Sequence, residues 1–186
     1  MKRSFDIFLA FLLFTLFLIV MVCVAIIIRF TSKGPILFWS KRVGINNTIF
    51  KMPKFRSMKI DTPEVATHLL SNPESFRSPI GGFLRRTSLD ELPQLFSILK
   101  GDMSFIGPRP ALYSQDDLIE LRLLNGLDKI KPGLTGWAQV NGRDELSIPE
   151  KVALEVEYLK KKSFWFDLKI LWMTFLKVFK NQSVSH

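Results

Sequence analysis

From Phe5 to Ile28 every position is apolar except Asp6 and Thr15. A run of this length predicts a helix able to cross a bilayer core, which takes about 20 helical residues. It is too long for the apolar region of a signal peptide, and no small-residue cleavage site closes it, so it reads as a retained membrane anchor. Lys2 and Arg3 precede it and Arg29 and Lys33 follow it. Basic flanks at both ends leave its orientation open. No Pro or Gly lies between Phe5 and Arg29 to break the helix. The residues alone therefore favour a spanning or interface-embedded helix over one that dips in and returns.

After Gly34-Pro35 the pattern shortens. The stretch ILFWSKRVGINNTIFKMPKFRSM, residues 36–58, predicts short strands around an Asn46-Asn47 turn. Its alternating aromatics and bases fit a half-buried strand pair with a solvated or headgroup-facing side; stacking on nucleobases is the other reading. Residues 61–79 are polar and Pro-rich and read as a loop with a short helix; His68, within it, receives no role. Residues 115–124 predict a short charged surface helix, and IPEKVALEVEYLKKKSF, from residue 148, an amphipathic one. In the last segment, FWFDLKILWMTFLKVFK, Lys169, Lys177 and Lys180 share one helical face, with Trp165 and Trp172 among the apolar positions. Those features favour a helix lying on an anionic membrane over a buried core helix. The fold class is α/β of the α+β kind: a small membrane-associated domain with a small sheet, several helices and long ordered loops.

Composition narrows the partner. The 186 residues suffice for one domain with a core and one appendage. A hydrophobic fraction of 47% supports the membrane reading, and a net charge of +9 calls for an anionic partner: nucleic acid, lipid headgroups or a phosphorylated substrate. The single cysteine, Cys23, excludes an intrachain disulfide, and no Cys/His cluster suggests zinc.

The candidate chemistry begins at RRTSLDELPQL, residues 85–95. Ser88-x-x-Glu91 has the form of a capping box, which would make both carboxylates structural. Pro93 would then fall just past the tolerated first turn, so Asp90 itself is the alternative cap. Either start puts Asp90 at the positive end of a helix, beside Arg85 and Arg86, where ionisation is favoured. An ionised aspartate can attack phosphorus, and Glu91 can hold a divalent metal or manage a proton. Two loops, KGDMSFIGPRP (100–110) and KPGLTGWAQVNGR (131–143), add glycines for close backbone approach and carry Arg109 and Arg143, which suit phosphate. Neither is a Walker or G-x-G-x-x-G motif. Together with the Arg-Arg-Asp-Glu stretch they point to one site for a phosphorylated substrate.

KFRSM, LRRTSLDELPQL, KGDMSFIGPRP and KPGLTGWAQVNGR, in this order and spacing, closely resemble the bacterial sugar transferases, specifically the small monotopic phosphoglycosyl transferases. The resemblance covers nearly the whole chain. It implies transfer of a sugar 1-phosphate from a UDP-sugar to undecaprenyl phosphate with release of UMP, the first membrane step of glycan assembly. It makes Asp90 the nucleophile that forms a covalent phosphosugar, and Glu91 its neighbour at a Mg²⁺ site that both carboxylates serve. Arg109 and Arg143 match arginines expected at the phosphates, with Lys54 and Arg86 as further candidates. Glu155 falls where relatives often carry an acidic residue. The resemblance also implies residues 1–33 as a re-entrant helix in the bacterial inner membrane and 34–186 as a catalytic domain on its cytoplasmic face. Membrane lipids are then partners, nucleic acid is not, and a homo-oligomer is open. Leu18-Ile19 stands where many relatives carry a helix-breaking Ser-Pro. Two readings compete: a direct glycosyltransferase releasing UDP, and a basic membrane-bound polyanion binder. Carboxylates amid the bases speak against the binder.

Overall fold

Helix α1, Lys2–Thr31, is unbroken through Leu18-Ile19. At 1.5 Å per residue it is about 45 Å long. The chain is described from a computed structural model that covers residues 2–63, 72, 74–142 and 146–183, with side chains as far as Lys177. One stripe of α1 (Asp6, Ala10, Met21, Val24, Ile28) is buried, while Phe8, Phe11, Leu16, Ile19 and Phe30 remain exposed. The helix is long and apolar enough to cross a membrane by length and composition.

Both ends of α1 rest on the same body. At its start Lys2 Nζ donates to the Ile106 carbonyl (3.0 Å), the Tyr158 hydroxyl (2.8 Å) and Asp167 Oδ2 (2.7 Å). The Tyr158 hydroxyl donates to Asp167 Oδ1, and burial, then that carboxylate, hold its pKa well above the tyrosine range. Arg3 donates to the Ile98 and Leu99 carbonyls. At its other end Met21, Val24 and Ile28 pack in a cluster with Phe55 and Leu84, and Arg56 donates to Ser32. Ala10 belongs to a second, larger cluster that holds Ile98, Met103, Phe105, Tyr158 and Ile170.

The predicted hairpin forms from β1, Leu37–Val43, and β2, Ile49–Phe55, paired antiparallel with Arg42 opposite Phe50. Asn46 and Asn47 adopt φ of 52° and 55°, the left-handed region that asparagine tolerates better than most residues. A second sheet was not foreseen. It pairs β3, Ser104–Ile106, with β4, Gly133–Thr135, in parallel, each too short to show a period. It joins the two Gly/Pro/Arg loops. A Cβ on Gly133 would lie 2.1 Å from the Gly107 nitrogen, and one on Gly136 would lie 2.2 Å from the Gly107 carbonyl oxygen, so only glycine lets these backbones meet.

The remaining helices are α2, Gly81–Arg86; α3, Gln94–Lys100; α4, Asp116–Leu124; α5, Trp137–Asn141; α6, Ile148–Lys161; and α7, Phe164–Ser183. Helix α6 starts at a reciprocal cap: Ser147 accepts from the Glu150 amide, Glu150 accepts from the Ser147 amide, and Pro149 sits in the first turn. Helix α7 is two-faced. Asp167 and Ile170 are buried, whereas Trp165 and Trp172 are 76% and 60% exposed. Lys180 falls beyond the described side chains.

Candidate active site

The stretch 85–95 folds differently from either helix start expected of it. Ser88 is left-handed, at φ 57°, and caps nothing with its side chain. Leu89–Glu91 is a single 3₁₀ turn, closed by the Glu91 amide donating to the Ser88 carbonyl (3.1 Å). Helix α3 begins only at Gln94, after Pro93. Proline has no N–H to give to a helix interior, so the helix must start at it rather than run through it. Asp90 is therefore not a helix cap. It sits in a tight turn held between two short helices and is 7% exposed.

Three elements converge on this turn. Glu91 Oε1 accepts from Lys54 Nζ of β2 and from Arg109 Nη2 of the loop after β3, both at 2.8 Å. Burial alone would raise the Glu91 pKa. Arg109 and Lys54 outweigh it and hold this carboxyl well below the usual carboxylate range. Burial lowers the pKa of Lys54, against the opposing pull of Glu91. The three groups thus form a partly buried cation–anion–cation cluster that fixes the β2 edge and the Arg109 loop relative to the turn.

Asp90 differs. Among the described residues no hydrogen bond holds its carboxylate, and charges act on it only at a distance. Burial pushes its pKa up to about 6, opposed first by Lys54; the neighbouring Glu91 charge adds to the rise, and Arg85 and Arg109 oppose it. The expectation that ionisation is favoured is thus reversed in direction, because there is no helix end to stabilise the charge and desolvation dominates. Of the two adjacent arginines Arg85 is half-buried, within reach of Ser57 (3.3 Å) and of the Asp90 charge, and Arg86 is exposed.

Beside the turn lies a groove of about 1280 Å³. Arg85, Arg86, Ser88, Glu91 and Arg109 line its basic part, and α1 and α7 supply apolar walls. Gln139 of α5 also lines it, and both its amide atoms are buried without a hydrogen-bond partner among the described residues. The motif GWAQVNGR contained Gln139, but only packing reveals the orphaned amide. Of the predicted site residues, Lys54 and Arg109 both touch Glu91, Asp90 adjoins it in sequence and Arg86 shares the groove. Glu155 is held apart: it is 2% exposed and takes two hydrogen bonds from Arg122 of α4, so its contacts are those of a buried structural pair. Arg143 lies outside the described residues.

These motifs have counterparts in known proteins. Residues 1–181 match the family described as Bacterial sugar transferase. The UDP-glucose:undecaprenyl-phosphate glucose-1-phosphate transferase of Escherichia coli (strain K12) is 42% identical over 98% of the chain, which covers 41% of that protein. A UDP-N-acetylgalactosamine-undecaprenyl-phosphate N-acetylgalactosaminephosphotransferase of Aeromonas hydrophila is 34% identical over 93% of the chain, which again covers 42% of the relative. The chain thus spans about two fifths of the length of such relatives. It spans 90% of the uncharacterized sugar transferase EpsL of Bacillus subtilis (strain 168), at 36% identity over all of its own length. With a match over nearly its full length and the motif residues gathered about one turn, the chain belongs to the bacterial sugar transferase family.

Proposed function

We propose that this chain moves a sugar 1-phosphate from a UDP-sugar to undecaprenyl phosphate and releases UMP, by way of a phosphosugar carried on Asp90. Relatives named for this kind of transfer support the overall reaction. The observation that carries the residue assignment is the contrast between neighbours: Glu91 is pinned by two cations, while the Asp90 carboxylate is desolvated and uncommitted. A carboxylate with a pKa near 6 is still ionised at neutral pH and, once desolvated, is a better nucleophile than a solvated one.

In the first step an Asp90 oxygen attacks the sugar-linked phosphorus. The P–O bond to the bridging oxygen breaks, and that oxygen leaves with UMP. In the second step an oxygen of the lipid phosphate attacks the same phosphorus, the bond to Asp90 breaks, and the carboxylate is regenerated. Electrons and atoms balance without a redox partner. Arg109, held by Glu91, and Arg85 and Arg86 stabilise charge on the phosphates, and Arg143 is a further candidate. Mg²⁺ fits the donors present, since the Asp90 carboxylate and Glu91 Oε2 accept no hydrogen bond among the described residues and this ion takes carboxylates together with substrate phosphates. When bound there it would neutralise diphosphate charge. The apolar faces of α1 and α7 fit a membrane enzyme whose active site lies at headgroup level on the cytoplasmic face of the inner membrane.

The test is nucleotide release. Nanodisc-held protein with Mg²⁺, undecaprenyl phosphate and a panel of UDP-sugars should yield UMP from one donor. Asp90→Asn should abolish that yield and leave membrane association intact. UDP as the by-product would establish direct glycosyl transfer instead, and full activity of the variant would remove Asp90 from the mechanism.

A further inference from the structure

We propose that the groove between α1 and α7 seats the hydrocarbon tail of the acceptor, with its phosphate at Arg85, Arg86 and Arg109; the assignment rests on the function proposed above. Leu9, Leu13 and Phe17 form one wall, and Leu171, Trp172 and Phe175 contribute to the other. Leu9 to Phe17 is two turns of one helical face, about 12 Å of continuous apolar surface. A UDP-sugar is polar along nearly its whole length and has no use for such a wall. A single-chain isoprenoid phosphate matches both parts of the groove, apolar along the helices and basic beside Glu91.

Two further observations favour this occupant. The walls belong to helices whose outward faces are also apolar: Phe11 and Leu16 on α1 and Leu176 on α7 are exposed and lie outside the groove lining. A tail that leaves the groove between them passes into hydrocarbon without crossing water. The basic part carries three guanidinium groups, two of them already near a carboxylate. A phosphomonoester brings up to two charges to that part, whereas the phosphodiester of a bilayer phospholipid brings one, so the monoester is the better complement.

The full chain in nanodiscs separates the two half-reactions. UDP-sugar alone should give a burst of UMP, one per protein, and undecaprenyl phosphate should then drive turnover. Leu13→Trp fills the groove. It should raise the KM for undecaprenyl phosphate at least tenfold, so that the loss falls on the second half-reaction. Against dimethylallyl phosphate, whose tail is one isoprene unit, the same variant should differ from wild type by less than twofold. Phe17→Trp should repeat the pattern and guards against misfolding of one variant. An equal loss with long and short acceptors, or no loss with either, would overturn the groove assignment. Retention by Leu13→Trp of the wild-type KM, together with labelling of α1 and α7 by a photoreactive phospholipid that undecaprenyl phosphate cannot displace, would give the groove to a bilayer lipid and overturn it as well. Absence of the donor-only burst from wild type would instead strike at the covalent reading beneath it.

Discussion

Two of the chain's three Ser-x-x-Glu stretches behave in opposite ways. At Ser147–Glu150 the box is a reciprocal helix cap, exposed to solvent, with Pro149 in the first turn where its missing N–H costs nothing. At Ser88–Glu91 there is no cap, since Pro93 lies five residues after the serine and forces the helix to begin later. The residues between become a tight turn, Ser88 pays with a left-handed backbone, and Glu91 turns to Lys54 and Arg109. The position of one proline thus separates a carboxylate that caps a helix from a pair set in a tight turn.

The largest effect that would sharpen this contrast comes from neutralising each glutamate. Glu91→Gln leaves two partly buried cations without their anion. It should lower transfer at least 100-fold and stability by about 2 kcal/mol, read by UMP release and by denaturant unfolding. Glu150→Gln should leave transfer within twofold of wild type. Equal effects at the two sites would erase the distinction.

Next in size is the charge on Asp90. Its pKa lies above the ordinary 3.8, at about 6, so the folded state binds its proton more tightly than the unfolded state. Ionisation therefore costs stability as pH rises through that window. In Mg²⁺-free buffer Asp90→Asn should be more stable than wild type at pH 8, by on the order of 2 kcal/mol. The gain should vanish by pH 4, where Asp90 is largely protonated in the folded state, and a pH-independent difference would contradict the burial account.

The serines give smaller effects of opposite sign. Ser147→Ala removes a cap and should cost about 1 kcal/mol. Ser88→Gly relieves the left-handed strain and should gain roughly 0.5 kcal/mol, once the added freedom of the unfolded chain is subtracted. Thermal unfolding of the two variants side by side reads both signs, and a destabilising Ser88→Gly would mean that the serine side chain does work the backbone does not reveal.

Much of the fold was legible because its signals are local. The apolar run of α1, the Asn-Asn hairpin and the two-faced α7 are written in residue order. The β3–β4 pair was not, since three-residue strands carry no period and their pairing is set by glycines about 30 positions apart, Gly107 against Gly133 and Gly136. At the site, the motifs named Lys54, Asp90, Glu91 and Arg109 together. What they could not reveal is desolvation: the raised pKa of Asp90 and the orphaned Gln139 amide depend on what packs around them. Glu155 illustrates the converse, a carboxylate legible as a candidate whose contacts turned out to be a buried pair with Arg122.

The Lys2 junction has a practical consequence. Because Lys2 satisfies Tyr158 and Asp167, and Ala10 fills the core beside Ile98, the hydrophobic helix is also part of the keel on which the rest is built. Trimming it away to obtain a water-soluble fragment would strip an anion of its cation and open the interior. Such a fragment should be less stable than the intact chain, so cutting here for water solubility would weaken the fold around the 88–91 turn.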